Sequence, residues 1–597
     1  MATIKTSVSK RAASAKKTAK KTAPKSPVSK RASAATSLPK PPSPKYDVRG
    51  IILDLGEALP APARAEIMAR LREEVPEFAA LTTAQSSADP LGDGASDVLV
   101  AFAPGTRISI AKTWNAVHAL LRHPLVADSE PAVGYDMPPS PPAVAAMAKH
   151  SGGGGDKDLP GSDPREWSTQ AVGADVARTR FGVPGAGVRV AHPDTGYTLH
   201  PQIAGPRLRI ADGYDFVDDD PDPRDPLTGR FPGHGTATGS VIFSGAAPGL
   251  HGIAPGAELV PMRVSGSVIH FNFSNLIQAL YRARDRGCHV VSMSLGGPWA
   301  GRSLSRAVDQ LVAEGLILFA AAGNHTKMVI FPALLDNVIA VAASNADTRP
   351  WRGSASGAAV DITAPGESVW RAFTFKKKGA VHFDTQRSSG TSYATATTAG
   401  VCALWLQRHG AAALRTRYGG RLASVFAQLI KAHCRTVPGW NTQRYGPGLL
   451  DAVRLLDASL PAFGGAAVRS ALRAPTRTSA ASDWTRLQPY LPELSPKQLA
   501  TAAMTMYGAG AAARRSSARA ASMPSPAPSL IDEIVFYVAT DESVREAFLA
   551  AGGAGAKPAS RAKKTATSAT KRAGTNDPRA ALRAKASAAL REALARE

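Results

Sequence analysis

The chain has few cysteines and no long apolar run. Its 597 residues include three cysteines, Cys288, Cys402 and Cys434. This odd number in a large chain argues against a disulfide framework, so we interpret all three as small core side chains. No stretch reaches the roughly eighteen apolar residues of a membrane span, and no apolar segment typical of a secretory signal lies in the first forty residues. We therefore expect a cytoplasmic protein without a membrane partner.

Acidic residues are absent from the start of the chain and scarce at its end. Residues 1–45 carry twelve Lys or Arg and no acid, and residues 557–597 carry eleven against three acids, so these tails account for most of the net charge of +24. Their low apolar content predicts basic disordered tails, although the last twenty residues could form a helix with a weak apolar stripe. Such tails would bind nucleic acid or another polyanion, placing the protein at the nucleoid, or would only solubilise it.

Three short segments carry the side chains of nucleophilic catalysis. Residues 194–196 read Asp-Thr-Gly after an apolar run, residues 234–239 read His-Gly-Thr-Ala-Thr-Gly, and residues 388–396 place a serine at the start of an apolar helical run. A serine hydroxyl is a poor nucleophile unless a base takes its proton and a third group orients that base. Asp194, His234 and Ser392 supply these groups. Taken singly, they also fit a turn, a surface histidine and a helix N-cap.

In this order, the three segments resemble the subtilisin-like serine proteases, or subtilases. Residues 291–297 resemble the family's strand beside the bound peptide, and residues 321–324 resemble its oxyanion segment. The resemblance implies an α/β three-layer sandwich with a mostly parallel sheet. It also implies peptide-bond hydrolysis through an acyl-enzyme on Ser392, with His234 as general base and acid, Asp194 orienting it and Asn324 in the oxyanion hole. A turn residue is the alternative for Asn324.

The same resemblance places the substrate-binding residues. It puts Ser294, Leu295 and Gly296 along one side of the main pocket and Ile330 at its base, where the family often has a small residue. A branched side chain there would shorten the pocket, and no acidic residue is in view to pair a substrate Lys or Arg. We therefore predict small or medium apolar residues before the cut bond.

The chain departs from the family pattern beside two of the motifs. His192 and Pro193 precede the aspartate, where the family usually has an aliphatic residue. This histidine could perturb the site or merely face outward, and we favour the outward position because surface histidines are common. Tyr393 and Ala396 stand where the family has methionine and proline. Neither position carries chemistry, so these departures do not exclude activity.

Residues 46–137 predict a small α+β domain. Strands are expected near 48–53 and 97–102, and helices near 61–75 and 108–121. Residues 120–131 resemble the last helix and strand of the inhibitory prodomain of many subtilases, which makes this domain prodomain-like. A plain interaction domain is the alternative. The Pro-rich and Gly-rich linker 138–164 follows, and maturation cleavage would fall there.

The remaining chain divides into three segments. Residues 165–460 form the predicted catalytic domain, in which five apolar runs and four helical stretches alternate as in parallel α/β folds. Residues 461–556 are a helical region of unknown role, with helices expected near 495–506 and 529–549. Residues 557–597 are the second basic tail. The sequence carries no signal for an oligomeric state.

Metal ligation has a weak signal. Residues 215–222 read Asp-Phe-Val-Asp-Asp-Asp-Pro-Asp, which offers oxygen ligands for calcium or forms a solvated acidic loop. No Cys/His cluster indicates zinc, and no cofactor is required.

Two functions follow from the sequence: an active endopeptidase tethered to a polyanion by its tails, or a polyanion-binding scaffold without turnover. The intact Asp194, His234, Ser392 and Asn324 favour the endopeptidase.

Overall fold

The computed structural model describes the chain in nine stretches. They are 45–103, 108–136, 164–245, 249–269, 273–326, 328–462, 483–507, 528–553 and 577–595. The predicted disordered tail 1–45 and the linker 138–164 lie almost wholly outside them. Within these stretches, no helix has both the length and the apolar character needed to cross a membrane.

The N-terminal domain is an antiparallel sheet with three helices. Its elements are β1 (Lys45–Asp54), α1 (Ala61–Glu74), α2 (Pro76–Ala79), β2 (Ala88–Pro90), β3 (Asp97–Ala101), α3 (Ile110–Leu120) and β4 (Asp128–Asp136). The strand order is β2-β3-β1-β4, and β1 pairs antiparallel with both of its neighbours. The predicted α+β elements are therefore present.

The segment 165–460 contains nine strands among its described residues. They are β5 (Arg189–Asp194), β6 (Tyr214–Asp215), β7 (Glu258–Arg263), β8 (Val290–Met293), β9 (Ile317–Ala321), β10 (Ile339–Ser344), β11 (Ile362–Pro365), β12 (Val369–Lys377) and β13 (Ala380–Ser388). Seven form a parallel sheet in the order β11-β10-β9-β8-β5-β7-β6, and β12 and β13 form a separate hairpin. Strands β8 to β11 are buried along their whole length, which explains their continuous apolar runs.

Helices cover both faces of this sheet. They are α4 (Trp167–Ala171), α5 (Ala174–Phe181), α6 (His234–Phe243), α7 (Ser274–Asp285), α8 (Arg302–Ala313), α9 (Thr391–His409), α10 (Ala411–Tyr418), α11 (Leu422–Ala432), α12 (Thr442–Tyr445) and α13 (Ala452–Asp457). Helices α6 and α9 pack against each other and against the sheet, and α7 and α8 form a second packed pair of helices on it. The predicted three-layer sandwich is confirmed, and β5 ends at its switch point, where α/β folds place their sites.

The C-terminal region is helical. It contains a 3₁₀ helix (Asp483–Tyr490), α14 (Pro496–Tyr507), α15 (Pro528–Thr540), α16 (Glu542–Ala551), α17 (Ala580–Arg583) and α18 (Ala588–Ala595). These helices share one hydrophobic core with the N-terminal domain, which includes Trp114 and Phe536. The structure thus gives the region of unknown role a packing partner that its sequence did not reveal.

The prediction that the C-terminal basic tail is disordered is wrong for residues 577–595. Two short helices form there, α17 and α18, where the sequence indicated one. Leu582, Leu590 and Leu594 are fully buried in the core that the C-terminal helices share with the N-terminal domain. Three buried leucines make this segment a structural element, because their burial offsets the entropy of ordering it.

Candidate active site

A hydrogen-bonded pair of side chains lies where β5 ends and α6 begins. His234 Nδ1 donates to both carboxylate oxygens of Asp194, at 2.8 and 3.0 Å. This fixes the tautomer in which Nε2 is unprotonated and available as a base. Burial opposes the charge of Asp194, but His234, His192 and the Thr195 N–H overcome this effect and hold the pKa of Asp194 below its usual range. The carboxylate is therefore ionised at neutral pH and orients the imidazole.

The glycines of the two motifs allow this close approach. A Cβ at Gly235 would lie 2.1 Å from the carbonyl oxygen of Gly196, so only glycine lets α6 start this near the Asp-Thr-Gly turn. Thr195 then links the motifs, since its hydroxyl accepts from the Gly235 N–H at 3.1 Å and donates to Asp225 at 2.8 Å. The local sequence thus determines how Asp194 and His234 meet.

The expectation that His192 faces outward is wrong. The side chain is 1% exposed, and its Nε2 lies 4.0 Å from Asp194 Oδ2. Thr238, one turn after His234 on α6, joins the two groups: its hydroxyl lies 3.0 Å from His192 Nε2 and 3.4 Å from Asp194 Oδ2. Burial lowers the pKa of His192, so this second histidine is neutral beside the catalytic pair. Its position on β5, two residues before Asp194, puts both side chains on one face of the sheet.

Ser392 lies in the first turn of α9 and shares a cleft of about 250 Å³ with His234 and Asn324. Among the described residues, its hydroxyl makes one hydrogen bond, donating to the Ser294 carbonyl at 3.4 Å. Ser294 in turn donates its hydroxyl to the Ser392 carbonyl at 3.0 Å. In this state the Ser392 hydroxyl is hydrogen-bonded to the segment that follows β8. To attack a substrate, it must give up the hydrogen bond to the Ser294 carbonyl and donate one to His234 Nε2.

Thr391 orients the Asn324 amide. The backbone N–H and the hydroxyl of Thr391 both donate to Asn324 Oδ1 at 2.8 Å. The Gly323 N–H donates to the same hydroxyl at 3.2 Å. Because the Asn324 oxygen is held in this way, its Nδ2 donor is directed to the cleft. Nδ2 lies 3.3 Å from the position that a Cβ atom would take at Gly390. This arrangement suits an oxyanion hole completed by the Ser392 N–H at the start of α9.

Of the four predicted substrate-binding residues, Ser294 contacts Ser392 directly, through the two hydrogen bonds described above. Ser294 and Leu295 are buried, and the Gly296 N–H already donates to the Val268 carbonyl at 2.9 Å. Ile330 lies between two glycines: its Cδ1 would be 2.7 Å from a Cβ at Gly296 and 3.4 Å from one at Gly323. Ile330 therefore fills the space between the predicted peptide-binding strand and the Asn324 segment. A peptide that pairs with Gly296 must first displace Val268.

The acidic loop at residues 215–222 does not fit a calcium ion. Arg263 donates to both Asp215 and Asp218, so a guanidinium occupies the position between these carboxylates. Asp215 Oδ1 also accepts the N–H groups of Val217 and Asp218. Among the described residues, no group of three or more His, Cys, Asp or Glu is placed to hold a metal.

Sequence reasoning missed three residues at this site. Thr238 and Thr391 lie within the motifs, and helical spacing from His234 would have pointed to Thr238. Arg371, on β12, lines the cleft with Ser392 but has no motif around it. Only the folding of the β12–β13 hairpin against α6 brings it there.

Comparison with known proteins agrees with this geometry. The subtilase family model matches residues 185–434. Subtilisin BL of Lederbergia lenta is 34% identical over 245 residues, 41% of this chain and 84% of that protein. An intracellular serine protease of Paenibacillus polymyxa is 34% identical over 276 residues, 45% of this chain and 79% of that protein.

A solved structure shows the same fold. Fervidolysin from Fervidobacterium pennivorans, a keratinolytic enzyme related to subtilisin, aligns with a TM-score of 0.51 at 19% identity. The match covers 70% of this chain and 62% of that one. The parallel sheet and the sequence relatives lead to one conclusion: this chain belongs to the subtilase family and is a serine endopeptidase.

Proposed function

We propose that the chain hydrolyses polypeptides through an acyl-enzyme on Ser392, with His234 as general base and acid, Asp194 orienting it and Asn324 in the oxyanion hole. One observation carries this proposal: His234 Nδ1 donates a hydrogen bond to the buried Asp194 carboxylate at 2.8 Å, and the same imidazole lines a cleft with Ser392 in the first turn of α9.

The reaction follows from these positions. Ser392 Oγ attacks the substrate carbonyl carbon while its proton passes to His234 Nε2. The resulting imidazolium is stabilised by the Asp194 carboxylate, and His234 returns the proton to the leaving amine as the C–N bond breaks. Water then repeats the sequence on the acyl-enzyme and releases the acid. The negative charge on the tetrahedral oxygen is met by Asn324 Nδ2 and the Ser392 N–H.

We also propose that residues 46–137 are an inhibitory prodomain. The domain binds the first turn of α8: Glu130 Oε2 accepts the Arg302 N–H, and the Ser303 N–H donates to the same oxygen at 3.3 Å. A carboxylate is favourable at a helix N-terminus. Asp128 pairs with both Arg302 and Arg306. Cleavage within 138–164 by the enzyme itself would then relieve the inhibition and mature the protein without release of the domain.

The tails and the location remain proposals from the sequence. Within the second tail, residues 577–595 are described and packed. We propose that the basic stretches outside that part bind duplex DNA through its phosphates, at the nucleoid of a cytoplasmic protein. The similarity to the intracellular serine protease of Paenibacillus polymyxa supports an intracellular role.

The test uses unfolded casein and a fluorophosphonate probe. Wild-type protein should cleave casein, label with the probe and cut itself within 138–164. Ser392→Ala should do none of these, because the acyl-enzyme has no other nucleophile. Ser424→Ala, a serine on α11 away from the cleft, is the matched control and should still label. Probe labelling of Ser392→Ala would refute the assignment, and an uncut wild-type chain with full activity would refute the prodomain.

A further inference from the structure

The active-site cleft extends from Ser392 towards the β12–β13 hairpin. Its lining includes Phe231, Arg371, Phe373 and Ser389, whereas Ser294, Leu295, Gly296 and Ile330 lie outside that lining. If the acyl half of a substrate lies along Ser294–Gly296, the half that leaves as the amine must lie on the other side of Ser392. The hairpin side of the cleft is therefore the leaving-group side.

Arg371 faces this side because of strand alternation in β12. The Ala372 N–H donates to Ser240 Oγ of α6 at 2.9 Å, which holds β12 against that helix, and the Thr374 side chain faces away from the cleft, with its hydroxyl 2.8 Å from that of Thr198. Arg371 and Phe373 consequently occupy the opposite face and both line the cleft. The guanidinium carbon stacks 4.6 Å from the centre of the Phe373 ring, which holds the side chain in place.

Arg371 is a buried cation without an anionic partner among the described residues. The residue is 9% exposed, Nη1 donates only to the carbonyl of the adjacent Ala372 at 3.1 Å, and Nε is buried without a hydrogen-bond partner. Asp384 lies on the same face of the hairpin, opposite Phe373, yet forms no ion pair with Arg371. An unpaired buried charge is costly, so a bound carboxylate would be favoured here.

The rest of the described lining supplies no competing anion, because none of these residues is an Asp or Glu. In a cleft of low dielectric constant the charge of Arg371 attracts an anionic group and repels a cationic one. The planar guanidinium group of Arg371 can bind a carboxylate through charge-assisted hydrogen bonds.

We propose that Arg371 makes the enzyme select peptides that carry an Asp or Glu side chain in the first two residues after the cut bond. This inference rests on the proposed function, since it assigns the leaving half of the substrate relative to Ser392. It adds an acidic requirement on that half to the apolar preference predicted for the acyl half.

The experiment compares pairs of quenched-fluorescent peptides that differ only in Glu against Gln at the first or the second residue after the cut bond. With wild-type protein, kcat/KM should be about tenfold higher for Glu in one of the two positions. Arg371→Gln should bring the Glu/Gln ratio close to one, and Arg371→Lys should restore part of it. An acyl p-nitroanilide, which has no residues on the leaving side, reports the Ser392 chemistry separately.

Arg387→Gln is the matched control. Arg387 lies opposite Trp370 in the same hairpin, on the face turned away from Arg371, and is not among the described lining residues, so this variant removes the same charge from outside the cleft. The Glu/Gln ratio should survive this change. An equal loss of the ratio in both variants, or a wild-type ratio near one while the anilide is hydrolysed, overturns the role of Arg371. Failure to hydrolyse the anilide at all would instead refute the proposed function.

Discussion

Glu533 of α15 and His118 of α3 share a buried hydrogen bond of 2.7 Å. It joins the C-terminal helices to the N-terminal domain across more than four hundred residues of sequence. The Phe536 ring packs one turn further along α15, 6.0 Å from Trp114 of the N-terminal domain and 5.3 Å from Trp299 before α8. Arg302 bridges Asp128 and Asp532, so the three parts of the chain meet at one point.

This junction predicts that the N-terminal domain stays bound after the linker is cut. Its core is shared with α15 and α18, so dissociation would expose side chains such as Phe536 and Leu590 to water. Wild-type protein cleaved within 138–164 should therefore elute from size exclusion with both fragments together. The double variant Glu533→Ala, Phe536→Ala should release the fragment that carries residues 46–137.

Arg545→Ala is the control for that measurement, because it removes only a partly exposed pair with Glu493 on the same helical region. It should retain the fragment. Release of the N-terminal fragment from wild-type protein under native conditions would contradict the shared core.

Asn324→Ala should lower kcat by roughly 10²–10³ with little change in KM, because the amide hydrogen bond strengthens only as charge develops on the oxyanion. Steady-state kinetics on the anilide measures both constants. Asn337→Ala, which removes a surface amide bonded to Asp309, should leave them unchanged. A rise in KM alone in Asn324→Ala would make this residue a substrate contact instead.

Ile330→Gly should widen the pocket for the residue before the cut bond. The Ile330 side chain fills the space between Gly296 and Gly323, so its removal opens that space to large aromatic groups. Cleavage-site profiling should shift from small or medium apolar residues to Phe and Tyr. A wild-type profile dominated by Lys and Arg would overturn the mapping of this pocket.

Burial of His192 predicts a loss of stability in acid. Burial and the nearby His234 lower its folded-state pKa, although Asp194 opposes this effect. The unfolded chain therefore binds more protons than the folded one as pH falls below about 6.5, so the free energy of unfolding decreases there. In a Ser392→Ala background that prevents self-digestion, His192→Gln should show a smaller decrease between pH 7.5 and 5.5 in urea titrations. Parallel curves would show that His192 is protonated equally in both states.

The DNA-binding test must spare the packed end of the chain. Removing 1–44 and 554–576 takes away most of the basic residues of both tails and leaves α17 and α18 in place. Duplex DNA binding in gel shifts at two salt concentrations should fall sharply, with hydrolysis near its original rate. Removing 577–597 as well should destabilise the protein, since the Ser587 N–H and hydroxyl donate to the buried Glu533 at 2.6 and 2.7 Å. Undiminished DNA binding after the first deletion would locate the polyanion site elsewhere.

The sequence by itself determined the family, the parallel sheet and the residues proposed for catalysis. Short motifs carry this information because the chemistry demands particular side chains next to glycines: at Gly235 any Cβ would collide with Gly196. Continuous apolar runs were enough to locate β8, β9 and β10, since strands buried on both faces need no alternation.

Only the tertiary structure decided where His192 and Arg371 point, and what the C-terminal helices do. A histidine between apolar residues carries no local mark of burial, and its proximity to Asp194 arises from the packing of α6 on β5. Arg371 reaches the cleft because side chains alternate between the two faces of β12, a strand that contains no recognisable motif. The leucines of α17 and α18 read as a weak surface stripe until a domain more than four hundred residues away covers them, because burial is a property of contacts between distant segments and not of local sequence.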